Sequence, residues 1–330
     1  MGHLMTSNDL QTQLVKYLTD AHSIEAQALI QMKMAPVIAG DSEIAAAFKQ
    51  HRVETEEHGR LVAERLNALG ASPSKLKDIA GVVTGAGFGL FAKLQPDTPG
   101  KLVTHAFSYE HMELAAYDML ARVADRAGDL ETAEVARQIE EQEGAMAERV
   151  AGLFDRAVES SLRELSPDDL RDQVRKYLED AQAIEAQAIQ LLSKGPDLAG
   201  TSELASAYEE HLAQSREHQQ MVEDRLASYG ARPSRLKDAA LRLGALNWGL
   251  FFGAQPDTPA KLAAFSYAFE HLEIAAYELL RRVAARAGDE QTQAIADTIL
   301  GEERAAADKI HRAFDSALDA SLEAQRVGAR

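Results

Sequence analysis

The sequence predicts an all-α protein in which one four-helix bundle is written twice, and three observations support this. First, the chain repeats itself at an offset of 160 residues: KYLTDAHSIEAQA at 16–28 returns as KYLEDAQAIEAQA at 176–188. FGLFAKLQPDTPGKL at 88–102 returns as WGLFFGAQPDTPAKL at 248–262, LGASPSKLKD (69–78) as YGARPSRLKD (229–238), and VADRAGD (123–129) as VAARAGD (283–289). That period is far too long for a solenoid unit and marks a duplicated domain. Second, hydrophobic residues make up 46% of the chain and aromatics only 6%, a balance suited to helices packed on helices. Third, the 21 glycines and nine prolines cluster between the periodic runs, where they punctuate helices without breaking them.

Taken in order, each unit shows four amphipathic segments, which in the first fall at about 8–35, 41–69, 99–127 and 130–160. A shorter helix is expected over 75–94. Asp41-Ser42 can cap the second segment and Gly70 ends it; Thr98 is placed to cap the third, with Pro99 as its first helical residue. Gly128-Asp129 separates the last two. SLRELSPDDL, around Ser161–Pro167, supplies a stop and an acidic helix start, which sets the domains at 7–160 and 167–320. A long middle connection between short outer ones is the up-down, crossover, up-down order of a ferritin-like bundle.

The net charge of −17 disfavours nucleic acid and anionic membrane surfaces as partners. The absence of cysteine excludes disulfides, thiol catalysis and thiolate metal sites and fits a cytoplasmic location. No run reaches the length of a membrane span; GVVTGAGFGLFAKL (81–94) reads as a buried interhelical segment. The opening MGHLMT reads as a leader outside the fold, and no signal peptide is visible. No Ser-His-Asp set, phosphate loop or dinucleotide fingerprint is present.

The informative residues are charges that fall on core stripes. On the first helix the stripe runs Leu14, Leu18, Ala21, Glu25, Ala28, Met32, and its repeat places Glu185 identically. On the second it runs Ile44, Ala47, Phe48, His51, His58, Leu61, Val62, Leu69, with Glu54 at the margin and Glu57 turned to solvent. The second copy keeps His211 and His218 but has Gln214 in place of Glu54. Ala106, Glu110, Glu113, Tyr117 and Leu120 share a face of the third helix, with His111 opposite Glu113. Ile139, Glu143, Met146, Val150 and Leu153 share one on the fourth, with Glu140 a turn away; the copy has Glu303 and, in place of Glu140, Leu300.

Four helices thus each direct a carboxylate inward near mid-length. Converging carboxylates repel unless cations balance them, and carboxylates with imidazoles are the ligands of di-iron and di-manganese bundles. The spacings from Glu25 to Glu54 and from Glu113 to Glu143 let each pair meet across a hairpin. His51 and His58 each fit either a core histidine or a ligand. Glu110 and His111 read as supports of ligands, Tyr117 and Tyr277 as packing residues whose hydroxyls reach the site edge, and Met32 and Met146 as core filler.

HRVETEEH, EHMELAAY and the AGD and IEEQE strings resemble the bacterial YciF-type stress-protein family over essentially all of each repeat. The resemblance implies a ferritin-like bundle with a dinuclear centre, usually iron, in a small dimer linked to stress responses. Carried over, it implies ligands Glu25, Glu54, Glu113 and Glu143 in the first repeat, with His51, Glu110 and Glu140 as ligands or their supports. The second repeat matches at Glu185, Glu273 and Glu303 and keeps His211 and Glu270. Two iron or manganese ions are therefore expected in the first repeat. The departures at Gln214 and Leu300 leave the second open to a mononuclear, altered or absent site. Fusion of the repeats implies a monomer whose halves pack as a pseudo-dimer with internal two-fold symmetry.

Three functions fit these residues. One is a redox metalloprotein that oxidises Fe(II) or consumes peroxide, with metal ions and oxygen or peroxide as its partners. Another is a helical scaffold with a vestigial site, favoured for the second half by Gln214 and Leu300. The third is an oxygenase acting on an organic substrate.

Overall fold

A computed structural model describes residues 7–72, 98–231 and 257–328, and every element within them is helical. The chain divides into two compact units, Met1–Ser161 and Leu162–Arg330. The first unit contains α1 (Ser7–Ile38), α2 (Ser42–Ala68), α3 (Thr98–Ala127), α4 (Leu130–Ala151) and α5 (Phe154–Leu162). The second contains α6 (Pro167–Leu192), α7 (Gly195–Leu198), α8 (Ser202–Ser228), α9 (Thr258–Ala287), α10 (Glu290–Arg312) and α11 (Phe314–Gly328). The expected helix over 75–94 lies outside the described residues.

The helix ends follow from local chemistry. Gly40 takes φ +66°, the left-handed conformation that ends a helix, and the Asp41 carboxylate accepts from the backbone N–H groups of Glu43 and Ile44. Asp129 accepts from Thr132 N in the same way at the start of α4. Ser166 and Asp169 form a reciprocal capping box ahead of α6, with Pro167 in the first turn. Thr98 is the first residue of α3 and not its cap.

The expected segment 130–160 is two helices. The chain turns at Gly152–Leu153, which lets Phe154 of α5 fold back to meet Phe107 of α3 edge-on, with ring centroids 5.8 Å apart. At the far end of α5, Ser161 Oγ accepts from Gly100 N, satisfying a donor at the start of α3 that has no partner within its own helix. Ser321 does the same for Ala260 in the second unit. The halves differ near Pro36, which α1 accommodates internally, whereas its counterpart Pro196 opens the separate α7. Gly195 sits so close to the Tyr208 ring that a Cβ there would meet it at 2.6 Å, which explains glycine where the first half has Ala35.

Within the first unit α1 packs on α2 and α3, α3 on α4, and α2 on α4; the second unit repeats this with α6, α8, α9 and α10. Residues 39–41 join α1 to α2 and residues 128–129 join α3 to α4, so each is an antiparallel hairpin. Helices α2 and α4 also run antiparallel, because their contacts pair 54 with 149, 58 with 142 and 65 with 132. It follows that α2 and α3 point the same way, and α3 begins at the opposite end of the bundle from where α2 finishes.

A buried arginine fixes this register. Arg65 Nε donates to Thr132 Oγ1 at 2.9 Å, while its Nη2 lies 3.1 Å from the capping carboxylate of Asp129. Arg225, Thr292 and Asp289 repeat the clamp in the second unit. A sliding of α2 against α4 would break a charge-assisted bond at a helix start, so the clamp also sets which α4 residues face His51 and His58.

Candidate metal centre

Most of the apolar stripe residues are buried: Leu14, Leu18, Ala28, Met32, Ile44, Phe48, Ile139, Met146 and Val150 are in the core, whereas Leu61, Leu69 and Leu153 are only half-buried. Set among them, Glu25, His51, His58, Glu110, Glu113 and Glu143 are also buried, between 0% and 1% exposed. The structure brings these six together. His51, Glu110, Glu113 and Glu143 each offer a donor atom within 4.8 Å of the others, and Glu25, His58 and Glu143 do the same. Glu143 belongs to both clusters, so the two share one carboxylate.

Both histidines turn one ring nitrogen into the cluster and the other away. His51 Nε2 lies 3.2 Å from Glu110 and 3.3 Å from Glu143, while Nδ1 pairs at 3.0 Å with the Glu54 carboxylate. His58 Nδ1 lies 2.7 Å from Glu143 and 3.7 Å from Glu25, while Nε2 pairs at 2.6 Å with the Gln142 amide oxygen. Glu54 and Gln142 present acceptors, so the outward nitrogen carries the proton and donates. In the neutral ring the inward nitrogen is then a bare lone pair, which is the form that binds metal. The Tyr117 hydroxyl donates to Glu25 Oε1, the oxygen nearer His58, and Oε2 is buried without an aligned partner among the described residues.

The carboxylates are under-compensated by protein alone. Neither oxygen of Glu110, Glu113 or Glu143 has an aligned hydrogen-bond partner among the described residues. Burial pushes Glu113 well above the usual carboxylate range, lifts Glu25 to about 8 and lifts Glu110 to about 7; the neighbouring carboxylates add to each. Burial alone would lower His51, but Glu110, Glu143 and Glu54 outweigh it and raise the ring to about 10. These shifts show groups that keep protons unless a cation replaces them. Four carboxylates match the charge of two divalent ions, and the oxygen and imidazole donors suit iron or manganese. The set of four Glu and two His matches that of carboxylate-bridged bundles. Its distribution is particular: both histidines come from α2, and α3 supplies two glutamates one turn apart.

The second unit carries the same set. His211, Glu270, Glu273 and Glu303 form one cluster and Glu185, His218 and Glu303 the other. His211 Nε2 lies 2.7 Å from Glu270, and His218 Nδ1 lies 2.9 Å from Glu303 and 3.5 Å from Glu185. The Tyr277 hydroxyl donates to Glu185 at 2.6 Å. The two His–His ring separations, 6.4 Å and 6.5 Å, are alike.

Two expected ligands fall outside the clusters. Glu54, whose side chain is 29% exposed, backs His51 from the outer side, so Glu25 meets His58 and not Glu54 across the first hairpin. Glu140 is half-buried and contributes to neither cluster. Gln214 and Leu300, the positions expected to weaken the second repeat, correspond to these two residues outside the clusters. Gln214 accepts from His211 Nδ1 at 3.2 Å much as Glu54 does from His51. The second half keeps all four cluster carboxylates, Glu185, Glu270, Glu273 and Glu303.

Other residues sort plainly. His111 donates from Nδ1 to Phe107 O at 2.7 Å and packs on the Phe107 ring, away from the donors. Glu57 is exposed and paired with Arg60. His218, absent from the ligand set carried over from the family, was findable from its offset to His58. Gln142 and Glu302 were missed, because they sit on the outer side of α4 and α10, where polar residues are ordinary.

The bundle and its buried His/Glu clusters define a ferritin-like protein with candidate metal sites. The profile of a family described as a domain of unknown function (DUF892) matches residues 9–163 and again residues 169–323. The chain belongs to this family, the YciF-like ferritin-like family, and holds two copies of its domain in tandem. No solved structure matches the chain. Among the described residues no helix is long and apolar enough to cross a membrane.

Proposed function

We propose that each half is a dinuclear carboxylate-bridged metal centre, most simply di-iron, that oxidises Fe(II) or consumes peroxide as part of a stress response. The observation that carries this reading is the sharing of Glu143, and of Glu303, between two donor clusters. A single-ion site has no use for a second histidine and a further carboxylate on the far side of one glutamate. Bound iron would supply electron transfer to oxygen or peroxide.

The residues of the chain do the rest. Glu143 has one oxygen toward His58 and the other toward His51, so it would help to hold an ion in either cluster. Glu54 and Gln142 fix the two imidazole tautomers, and Tyr117 fixes the orientation of Glu25. Apolar helix faces keep bulk water from the clusters, which strengthens every charge interaction inside.

The test is to load the protein with Fe(II) without oxygen, then add oxygen or peroxide and follow the near-ultraviolet absorption of ferric carboxylate. Oxidation is expected to be faster than in buffer and to saturate with added iron. A rate equal to that of free Fe(II) would contradict the redox reading while leaving metal binding intact.

A further inference from the structure

The two halves differ one bond outside the donors, and the difference is an exchange. In the first half a carboxylate, Glu54, backs His51, and an amide, Gln142, backs His58. In the second half the amide Gln214 backs His211 at 3.2 Å, and the carboxylate Glu302 backs His218 at 2.8 Å. Each half keeps one acid and one amide behind its histidines, with the positions swapped between the helices.

The swap has a direction because the clusters are unequal. The His51 and His211 clusters each have three carboxylates, while those of His58 and His218 have two. More carboxylates bind a cation more tightly. A carboxylate accepting the outer N–H also makes an imidazole a stronger donor than an amide does, and such outer partners change metal affinity by roughly 10–100-fold. In the first half both advantages fall on the same cluster. In the second half they oppose each other.

We propose that the first half fills its clusters in order, His51 before His58, whereas the second fills its two clusters together. This rests on the reading that both clusters bind metal. Glu54 and Glu302 are partly exposed, at 29% and 38%, and Glu54 also lies 3.8 Å from Arg149, so the effect belongs at the lower end, about tenfold.

The test is a Co(II) titration of the full chain followed by visible absorption, with one half silenced through its shared glutamate. Glu303→Ala reads the first half and Glu143→Ala the second. The two dissociation constants of the first half are expected to lie at least about tenfold further apart than those of the second. Glu54→Gln should narrow that gap about tenfold in the first half. Gln214→Glu with Glu302→Gln, a near-isosteric exchange, should open it in the second. Two Co(II) per half with equal spacing in both halves, unmoved by these exchanges, would overturn the inference and leave the dinuclear reading standing. No Co(II) bound in either background would overturn both.

Discussion

Glu143→Ala is expected to abolish both metal sites of the first half at once, while the second half keeps its own. Glu143 is fully buried, belongs to both clusters and lies within 3.3 Å of the inward nitrogens of both histidines. Its removal takes a ligand from each ion and leaves three carboxylates where four balanced two divalent charges. Affinity at both positions should fall by more than the roughly 10–100-fold typical of outer partners. Equilibrium dialysis against Mn(II) or anaerobic Fe(II) would show metal capacity halved. Glu140→Leu, which copies Leu300, should leave capacity unchanged, because that side chain contributes no donor to either cluster. Equal losses from the two variants would contradict the donor assignment.

The second large effect is a pH dependence of stability that bound metal opposes. In the metal-free protein burial lifts Glu25 to about 8 and Glu110 to about 7, against about 4.3 for a carboxylate in an unfolded chain. His51 is raised to about 10 by its glutamates despite burial, against about 6.5 unfolded. Raised groups contribute stability fully below their unfolded pKa and lose it as pH rises through the folded one. Glu303 runs the other way: burial would raise it, but His211 and His218 pull it to about 2, so its contribution fades only in acid. Between pH 6 and 8 the raised groups dominate, and the Tm of metal-free protein should fall.

Metal must displace those protons, so its affinity rises over the same range. Ligand at about a hundred times its dissociation constant stabilises by about 2.7 kcal/mol per site. The Tm gain on metal loading should therefore widen from pH 6 to pH 8. Calorimetry with and without Mn(II) checks this. Parallel curves would mean that the clusters do not exchange protons for metal.

Much of the fold and most residues of the buried clusters were legible in the sequence, for a specific reason. Glu25, His51, His58, Glu113 and Glu143 stand where helical periodicity demands apolar residues, and the repeat shows each placement twice. What periodicity cannot encode is register between helices. Loop length suggested that Glu25 meets Glu54, but the Arg65–Thr132 clamp sets α2 against α4 so that His58 stands opposite Glu143, and the α1–α2 hairpin brings Glu25 to the same histidine. Glu54 lies one turn from His51, so its carboxylate reaches the outer nitrogen and not the cluster.

The same limit explains the second repeat. Gln214 and Leu300 looked like lost ligands because Glu54 and Glu140 looked like ligands. Once the tertiary contacts fix which nitrogen of each histidine points inward, Gln214 becomes a support that an amide can provide. The turn at Gly152 was hidden because glycine within an otherwise periodic run is compatible with a continuous helix.

The most direct measurement is the number of Fe(II) ions bound per chain in an anaerobic titration of the unaltered protein. The four clusters predict four ions, with two lost in Glu143→Ala and two in Glu303→Ala. Saturation at two ions, all removed by Glu143→Ala, would show that only the first half carries a centre. Saturation at none would contradict the account as a whole.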